Sequence, residues 1–284
     1  MKHFYIITNR DKDRDMQQTD RIRRFLEEHG AVCCVQEQAH PEEHAAYKYT
    51  DAGKIPAGVE CVLVLGGDGT LLQASRDLID TGLPLLGINL GTLGYLAEVE
   101  MAGVEEALTR LLRDDYSIEE RMMISGQVLR EGRVLLEDTA LNDIVVGRRG
   151  HLRVIHIEVY VNDTFLCEYR ADGMIVSTPT GSTGYALSAG GPIVAPDASL
   201  MLLTAIAPHT LATRPVVLPD SVKITLRLAT DGHDGQGAEV TFDGDTSMML
   251  TGGDAIEIRR SERSARLVKI SKKSFVEILR TKMN

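Results

Sequence analysis

The amino-terminal part of the chain alternates short apolar runs with longer, more polar segments. The apolar runs predict buried strands, at residues 4–8, 31–36, 61–65 and 84–88. The segment 14–29 predicts an amphipathic helix, residues 70–80 and 103–114 predict two more helices, and the polar stretch 38–60 predicts a loop. Because strands and helices alternate, we expect a parallel sheet with helices on both faces.

From about residue 121 the pattern becomes strand-like. Ile155, Ile157 and Val159 alternate with polar or aromatic residues, which is typical of a half-buried antiparallel strand, and Asn162-Asp163 predicts a hairpin turn after it. Strand-like runs are found at residues 122–129, 132–138, 141–147, 153–161, 164–170, 173–177, 201–206, 222–229, 238–242 and 255–260. These runs predict a second, all-β domain.

The change of pattern divides the chain into three predicted segments. Residues 1–120 would form an α/β domain with an open, largely parallel sheet, and residues 121–265 the β-rich domain. Residues 266–284 would form a tail with a strand-like piece and a short amphipathic helix, which we expect to pack back on the first domain.

Composition narrows the classes of function. The 284 residues carry a formal net charge of −10, which argues against a nucleic-acid partner because such proteins need a basic surface. No apolar stretch approaches the ~18 residues of a membrane span, so we expect no membrane partner. The four cysteines lack a CxxC spacing, which predicts no zinc site and favours reduced thiols in a cytoplasmic protein.

The most informative motif is Gly66-Gly67-Asp68-Gly69-Thr70, directly after the apolar run 61–65. We expect its glycines to adopt positive φ and to let the backbone approach a ligand at the carboxyl end of a strand. The following helix would point N–H groups at an anion, beside the single carboxylate of Asp68. This combination suits phosphoryl transfer to a hydroxyl, although an ordinary turn with a solvated aspartate is the alternative.

Three further motifs offer groups that bind nucleotides. The run 177–192 is rich in hydroxyls and glycines and contains Tyr185, so it could bind phosphate or ribose oxygens, or could simply be a loop that opens a capped helix. Asn142-Asp143 supplies an amide and a carboxylate for ribose hydroxyls, or forms a turn. Residues 89–96 form another glycine-containing loop, expected at the same sheet edge as Asp68.

Two common nucleotide-binding motifs are missing from the sequence. The turn after the first predicted strand, residues 9–12, contains no GxGxxG, so a dinucleotide would not bind in the manner of the dehydrogenases. The chain also lacks the GxxxxGK[ST] sequence of a P-loop.

Taken in order, the motifs resemble those of NAD kinases over about residues 60–245. The segments that carry the resemblance are Gly66–Thr70, the loop 87–98, Asn142-Asp143, Arg170-Ala171-Asp172-Gly173, the run 178–185, Pro208-His209-Thr210-Leu211 and Arg214-Pro215. The resemblance implies an α/β amino-terminal domain and a sandwich-like, all-β carboxyl-terminal domain. It also implies transfer of the terminal phosphoryl group of ATP, or of polyphosphate, to the adenosine ribose 2′-hydroxyl of NAD, giving NADP.

The resemblance also assigns roles to individual residues. Asp68 corresponds to the general base of the family. The nucleotide-binding residues that it implies are Gly66, Gly67, Gly69, Thr70, Tyr95, Asn142, Asp143, Arg170, Asp172, Thr183, Gly184, Tyr185 and Ser188. The ATP would carry Mg²⁺ or another divalent cation, and the chain would form a homodimer or homotetramer, with neighbouring subunits completing the NAD site.

Three positions depart from the usual family pattern: Asp143 replaces a frequent glutamate, Gly184 a frequent alanine and Tyr95 the usual phenylalanine. We expect these substitutions to affect the ligand preference and to leave the reaction unchanged. Arginines near the predicted site could contact phosphate or could be solvated charges at strand edges, and they are Arg148, Arg149, Arg153 and Arg170.

The glycine-aspartate motif also has other interpretations. Lipid and sphingoid-base kinases share the Gly66–Thr70 type of loop, but they lack the run 178–185. A sugar-phosphate kinase of the phosphofructokinase type would need further basic motifs. A non-catalytic NAD(P) sensor on the same scaffold is the alternative outside the kinases, although a missing base would be expected there and Asp68 is present.

Overall fold

The structure is a computed structural model that describes residues 1–37, 50–91, 94–150, 153–210, 213–230, 237–271 and 274–283. It divides into two compact units. Unit 1 comprises Met1–Arg121 and Ala265–Asn284, and unit 2 comprises Met122–Ser264. Two long strands carry the chain across the boundaries between them, at residues 117–130 and 255–269.

Unit 1 is built on a parallel sheet. Its elements are β1 (His3–Thr8), α1 (Gln17–Glu28), β2 (Val32–Val35), β3 (Cys61–Gly66), α2 (Asp68–Asp77), β4 (Leu85–Asn89), β5 (Val99–Glu100), α3 (Val104–Leu112) and the carboxyl-terminal α5 (Phe275–Met283). The strand order is β2-β1-β3-β4, every pair is parallel, and β5 joins the far edge of β4.

The strands of unit 1 bury both faces, as their uninterrupted apolar runs predict. In β3, Leu63 and Leu65 face one cluster with α1 and α3, whereas Val62 and Val64 face a second cluster that contains Leu71 of α2. Helices therefore cover both faces of the sheet, which confirms the predicted architecture of this part of the chain.

Unit 2 is antiparallel throughout its described ladders. Its elements are β6 (Ser117–Arg130), β7 (Arg133–Ala140), β8 (Asp143–Arg148), β9 (Ile155–Val161), β10 (Thr164–Ala171), β11 (Gly173–Ser177), α4 (Tyr185–Ser188), β12 (Leu200–Ile206), β13 (Val216–Pro219), β14 (Ile224–Leu228), β15 (Ala238–Phe242), β16 (Thr246–Leu250) and β17 (Ala255–Lys269). One sheet has the order β10-β9-β14-β17 and the other β13-β12-β11-β8-β15-β16.

Both sheets of unit 2 contribute to one apolar core. Ile157 of β9 and Leu226 of β14 pack in the same cluster as Val176 of β11 and Phe242 of β15, and all four are fully buried. A core shared by two antiparallel sheets is the arrangement of a β-sandwich, so the predicted sandwich-like domain is confirmed.

A buried carboxylate fixes one turn of this unit. Asp254 is 1% exposed and accepts hydrogen bonds from Arg130 Nε at 2.9 Å and Nη2 at 2.7 Å. Burial alone would raise the pKa of Asp254, but the hydrogen bonds from Arg130 and Thr251 outweigh it and lower that pKa.

Some elements differ from their predicted bounds. Helix α2 begins at Asp68, two residues before the predicted start, and β17 is one strand over Ala255–Lys269 where a shorter strand and a separate piece are predicted. The hairpin turn at Asn162-Asp163 is confirmed, with φ of +49° and +64°. Strands β13 and β16 have no counterpart in the prediction, and residues 38–49 of the predicted loop lie outside the described residues.

Among the described residues, no helix is both long enough and apolar enough to cross a membrane.

Candidate functional site

The glycine-rich motif is a direct junction between a strand and a helix. Strand β3 ends at Gly66, Gly67 caps the helix, and α2 begins at Asp68. The predicted positive φ is wrong: Gly67 has φ −133°, and Gly66 and Gly69 also lie outside the left-handed region. A one-residue connection needs no left-handed turn, so the glycines must serve another purpose.

The glycines leave space for neighbouring atoms at this junction. A Cβ on Gly66 would overlap the Oγ1 atom of Thr70, which accepts a hydrogen bond from Asn9 Nδ2 at 3.2 Å. A Cβ on Gly69, by contrast, would meet no atom within 4 Å, so the backbone at the start of α2 is open. The side chain of Thr70 therefore locks the junction, and the main chain of Gly69 remains accessible to a ligand.

The carboxylate of Asp68 connects the ends of two neighbouring strands. It accepts backbone hydrogen bonds from Tyr95 at 2.7 Å and from Leu96 and Ala97 at 3.2 Å each. These residues follow β4, so the expectation that both glycine loops share one sheet edge is confirmed. A Cβ on Gly94 would collide with this carboxylate, which explains the glycine at that position.

Lys12, which the sequence analysis does not single out, reaches the same junction. Its Nζ lies 2.8 Å from the point where a Cβ on Gly67 would be and 3.7 Å from the corresponding point on Gly91. Within the part of the chain that the structure describes, no ion pair or hydrogen bond of this ammonium group is found. Its position in the turn after β1, at the same edge as Gly66–Thr70, is the signal that could have identified it.

In unit 2, several predicted residues line one cavity of about 310 Å³. Asn142, Asp143 and Tyr185 are among them, and they come from the start of β8 and from α4. Four residues outside the predicted set also line it, and they are Val145, Thr241, Asp243 and Gly244. An Asp-Gly pair between two strand-like runs is a hairpin signal, so Asp243 could have been found from the sequence.

Two polar groups of this cavity are buried. The Oδ1 atom of Asn142 is buried, and no donor reaches it among the described residues. Asp143 is 6% exposed, and burial together with the charge of Asp243 raises its pKa to about 7. Buried polar atoms are normally paired, so these two groups indicate a place for a ligand with hydroxyl or amide donors.

The hydroxyl- and glycine-rich run packs directly on the Asn142-Asp143 turn. Thr178 Oγ1 donates to the carbonyl of Leu141 at 2.6 Å, and the backbone N–H of Thr178 donates to the carbonyl of Asn142 at 2.9 Å. A Cβ on Gly181 would collide with that same Asn142 carbonyl. A Cβ on Gly184 would lie 3.5 Å from Asn142 Nδ2 and 4.0 Å from Asp143 Oδ2, so Gly184 borders both side chains.

The other predicted residues lie around the cavity or away from it. Thr183 is half-buried and donates to the carbonyl of Thr180, and Ser188 is exposed on α4. Arg170 and Asp172 lie at the opposite end of β11 from Asn142 and Asp143, about 15 Å along the strand. One chain therefore does not bring all predicted residues of unit 2 into the same cavity.

Two side chains that were candidates for the site, Arg148 and Tyr95, have partners of their own. Arg148 Nε donates to Asp172 Oδ1 at 2.7 Å, which assigns this arginine to an ion pair. In unit 1, Lys282 of α5 lies over the ring of Tyr95, with Nζ 5.4 Å from its centroid. In the described part of the chain, no group of three or more His, Cys, Asp and Glu side chains is arranged to hold a metal ion.

Family models match both parts of the chain. The model described as "ATP-NAD kinase N-terminal domain" matches residues 4–116, and the model described as "ATP-NAD kinase C-terminal domain" matches residues 141–270. Curated relatives include NAD kinases of Lachnospira eligens, 45% identical over the full length of both chains, and of Lachnoclostridium phytofermentans, 44% identical over 99% of each.

Solved structures share the fold. A crystal structure of an NAD kinase from Archaeoglobus fulgidus in complex with ATP has a TM-score of 0.73 and 26% identity, and the match covers 96% of this chain and 95% of that one. Yeast NADH kinase, crystallised with NADH, has a TM-score of 0.82 at 23% identity, over 99% of this chain and 86% of that one.

The packing of the two glycines gives a matched pair of variants. Gly181→Ala should lower the free energy of unfolding by about 1–3 kcal/mol, because its Cβ collides with backbone atoms of Asn142 that cannot move aside easily. Gly184→Ala should lose clearly less, since its nearest new contact is the Gly181 carbonyl at 3.3 Å, which a shift of a few tenths of an ångström relieves. Urea denaturation measures both, and equal losses would contradict the assigned packing.

The buried carboxyl of Asp143 should make stability depend on pH. Because its pKa is raised in the folded state, the proton stabilises the fold at low pH, and this contribution is lost as the pH rises to about 7. The Asp143→Asn variant should therefore gain stability relative to the wild type between pH 5 and pH 8 in urea denaturation. Asp254→Asn is the control, because the pKa of Asp254 is lowered and its stability difference should not change over that range.

Proposed function

Because the chain belongs to the NAD kinase family, we propose that it transfers the terminal phosphoryl group of ATP to the adenosine ribose 2′-hydroxyl of NAD, giving NADP. The observation that carries the proposal is the junction of β3 and α2, where one fixed carboxylate borders an open helix start. The curated relatives named above are NAD kinases, which supports this interpretation over a lipid kinase or a non-catalytic sensor.

Asp68 is the proposed general base. A ribose hydroxyl is a poor nucleophile and must lose its proton as the phosphoryl group arrives. Three backbone N–H groups hold the carboxylate of Asp68 in place, and a carboxylate has about four acceptor positions, so one remains for the incoming hydroxyl. The fixed orientation removes the need to order this side chain when the substrate binds.

The phosphates of ATP are proposed to lie against Gly66, Gly67, Gly69 and Thr70. The first N–H groups of α2 have no partner within the helix and favour negative charge. Lys12 adds a cation at the same place, since its ammonium group borders Gly67 and Gly91. Mg²⁺, or another divalent cation, enters the proposal as part of the MgATP substrate, and polyphosphate is the alternative donor.

The nucleoside part of NAD is proposed to occupy the cavity of unit 2. Asp143 would accept ribose hydroxyls, and the unpaired Asn142 Oδ1 would accept a donor of the nucleotide. Tyr185, 48% exposed, would pack on the ribose or the base. Gly184 borders this pair, and Thr183 and Ser188 are proposed as further contacts on the basis of the family motif. Tyr95 of unit 1 is proposed as a nucleotide contact on the basis of that motif alone.

Arg170 and Asp172 require a second chain in this proposal. Both lie at the far end of β11 from the cavity of their own chain. We propose that they complete the NAD site of a neighbouring subunit in a homodimer or homotetramer, and that the assembly is cytoplasmic. Arg170 is 65% exposed, which leaves it accessible for such a contact.

The Asp68→Asn variant tests the base. It should bind NAD with unchanged affinity in calorimetry and lose about 10²–10⁴-fold in turnover, because an amide cannot accept the proton. Formation of NADP from NAD is measured with ATP or polyphosphate as donor, through an NADP-specific dehydrogenase. Near-normal turnover of the variant would rule out Asp68 as the base.

The Lys12→Ala variant tests the phosphate contact. Loss of one charge-assisted contact should raise the KM for ATP roughly tenfold or more, with a much smaller change in the KM for NAD. Lys54→Ala, at an exposed lysine elsewhere in unit 1, is the matched control and should leave both constants unchanged. A KM for ATP that stays at the wild-type value in Lys12→Ala would exclude this lysine from the ATP site.

A further inference from the structure

Asp243 is held in the turn between β15 and β16 by three consecutive amides. Its carboxylate accepts hydrogen bonds from the backbone N–H groups of Leu141 and Asn142 at 2.8 Å each and of Asp143 at 3.0 Å. In return, the N–H of Asp243 donates to the carbonyl of Asp143 at 2.9 Å. These four bonds fix the backbone that carries both polar groups of the cavity.

The turn that presents Asp243 is itself well defined. Asp243 and Gly244 have φ of +51° and +71°, and the N–H of Asp245 donates to the carbonyl of Phe242 at 3.0 Å, so these residues form a tight β-turn with left-handed central residues. The flanking strands are paired from Ala238↔Leu250 to Phe242↔Thr246, so the hairpin has a fixed register. Asp243 therefore approaches Asn142 and Asp143 from a rigid element.

We infer that Asp243 is a positioning residue, which orients the Asn142-Asp143 pair for the nucleotide and, through its negative charge, makes nucleotide binding depend on pH. This inference rests on the proposed function, because it takes NAD as the occupant of the cavity. Asp243 acts through its neighbour and needs no contact with the reacting atoms.

The charges around the cavity support this role. The titratable groups that line it are Asp143, Asp243 and Tyr185, and no basic side chain is found among the described residues of its lining. Three N–H donors stabilise the ionised form of Asp243, so the proton of the pair resides on Asp143. Burial first, and the charge of Asp243 second, raise the pKa of Asp143 to about 7.

The protonation state of Asp143 decides what it can bind. The ionised carboxylate accepts two ribose hydroxyls, whereas the protonated form must donate with one oxygen. Affinity for NAD should therefore rise with pH up to about 7 and remain constant above it. For one such group, binding at pH 6 should be about tenfold weaker than at pH 8.

The test compares the wild type with Asp243→Asn. The asparagine oxygen can keep the bonds from Asn142 and Asp143, but the charge is lost. Without the nearby charge, the pH dependence of NAD binding should move to lower pH, so that the loss at pH 6 falls clearly below tenfold. Calorimetry with NAD alone measures this, since the absence of ATP removes the titration of its phosphates.

Two further variants separate positioning from a general effect on stability. Asp243→Glu keeps the charge and should keep the wild-type pH dependence, even if the affinity falls. Asp254→Asn removes a different buried turn carboxylate of unit 2 and should leave the pH dependence unchanged. If Asp243→Asn shows the same pH dependence as the wild type, Asp243 has only a structural role and the inference is overturned.

A measurement without NAD separates this inference from the proposed function. In ¹³C-aspartate NMR, the carboxyl signal of Asp143, assigned by its loss in Asp143→Asn, should titrate near pH 7 in the wild type and lower in Asp243→Asn. Failure of the wild type to bind NAD would refute the proposed function. The NMR titration would still show whether the charge of Asp243 raises the pKa of Asp143. If Asp243→Asn does not fold, a wild-type Asp143 that titrates near 3.8 overturns the inference.

Discussion

The hydrogen bonds between Asp68 and the backbone of residues 95–97 are the interaction on which the candidate site of unit 1 depends. They join the end of β3 to the segment after β4, and they orient the carboxylate proposed as the base. The surrounding glycines follow from this arrangement, because Gly94 gives the carboxylate room and Gly66 gives room to Thr70. The side chain of Asp68 therefore holds the local backbone together and is also the group proposed to accept the proton.

In unit 2, by contrast, the groups proposed to bind the nucleotide lower the stability of the free protein. Among the described residues, no donor reaches the buried oxygen of Asn142, and Asp143 has a buried carboxyl whose ionisation is unfavourable. Both groups cost stability in the free protein, since a buried polar group that loses water without gaining a partner is unfavourable. Hydrogen bonds with Thr178 and Asp243 hold the backbone that carries these groups, and so fix their orientation.

The sequence predicts the architecture and the central motif well, because apolar periodicity and the order of strands and helices set the edge to which Gly66–Thr70 belongs. The sequence does not predict features that depend on contacts between residues far apart in the chain. The backbone of the glycine motif avoids positive φ because the strand joins the helix directly. Lys12 borders Gly67 and Gly91, and Asp243 binds the backbone of Asn142, across separate segments of chain. The opposite placement of Arg170 and Asp172 follows from the register of β8 and β11. A turn signal can mark Lys12 or Asp243 as a candidate, but a local pattern does not show which residues they reach.

The contact between Asp68 and Gly94 has a consequence for how this sequence can change over time. Any side chain at position 94 would displace the carboxylate, whereas a smaller residue at position 68 would leave three backbone N–H groups without their acceptor. Neither position can therefore change alone without a loss. Replacement of Asp68 therefore passes through a less stable intermediate or requires a change at both positions, so each of the two residues restricts how the other can evolve.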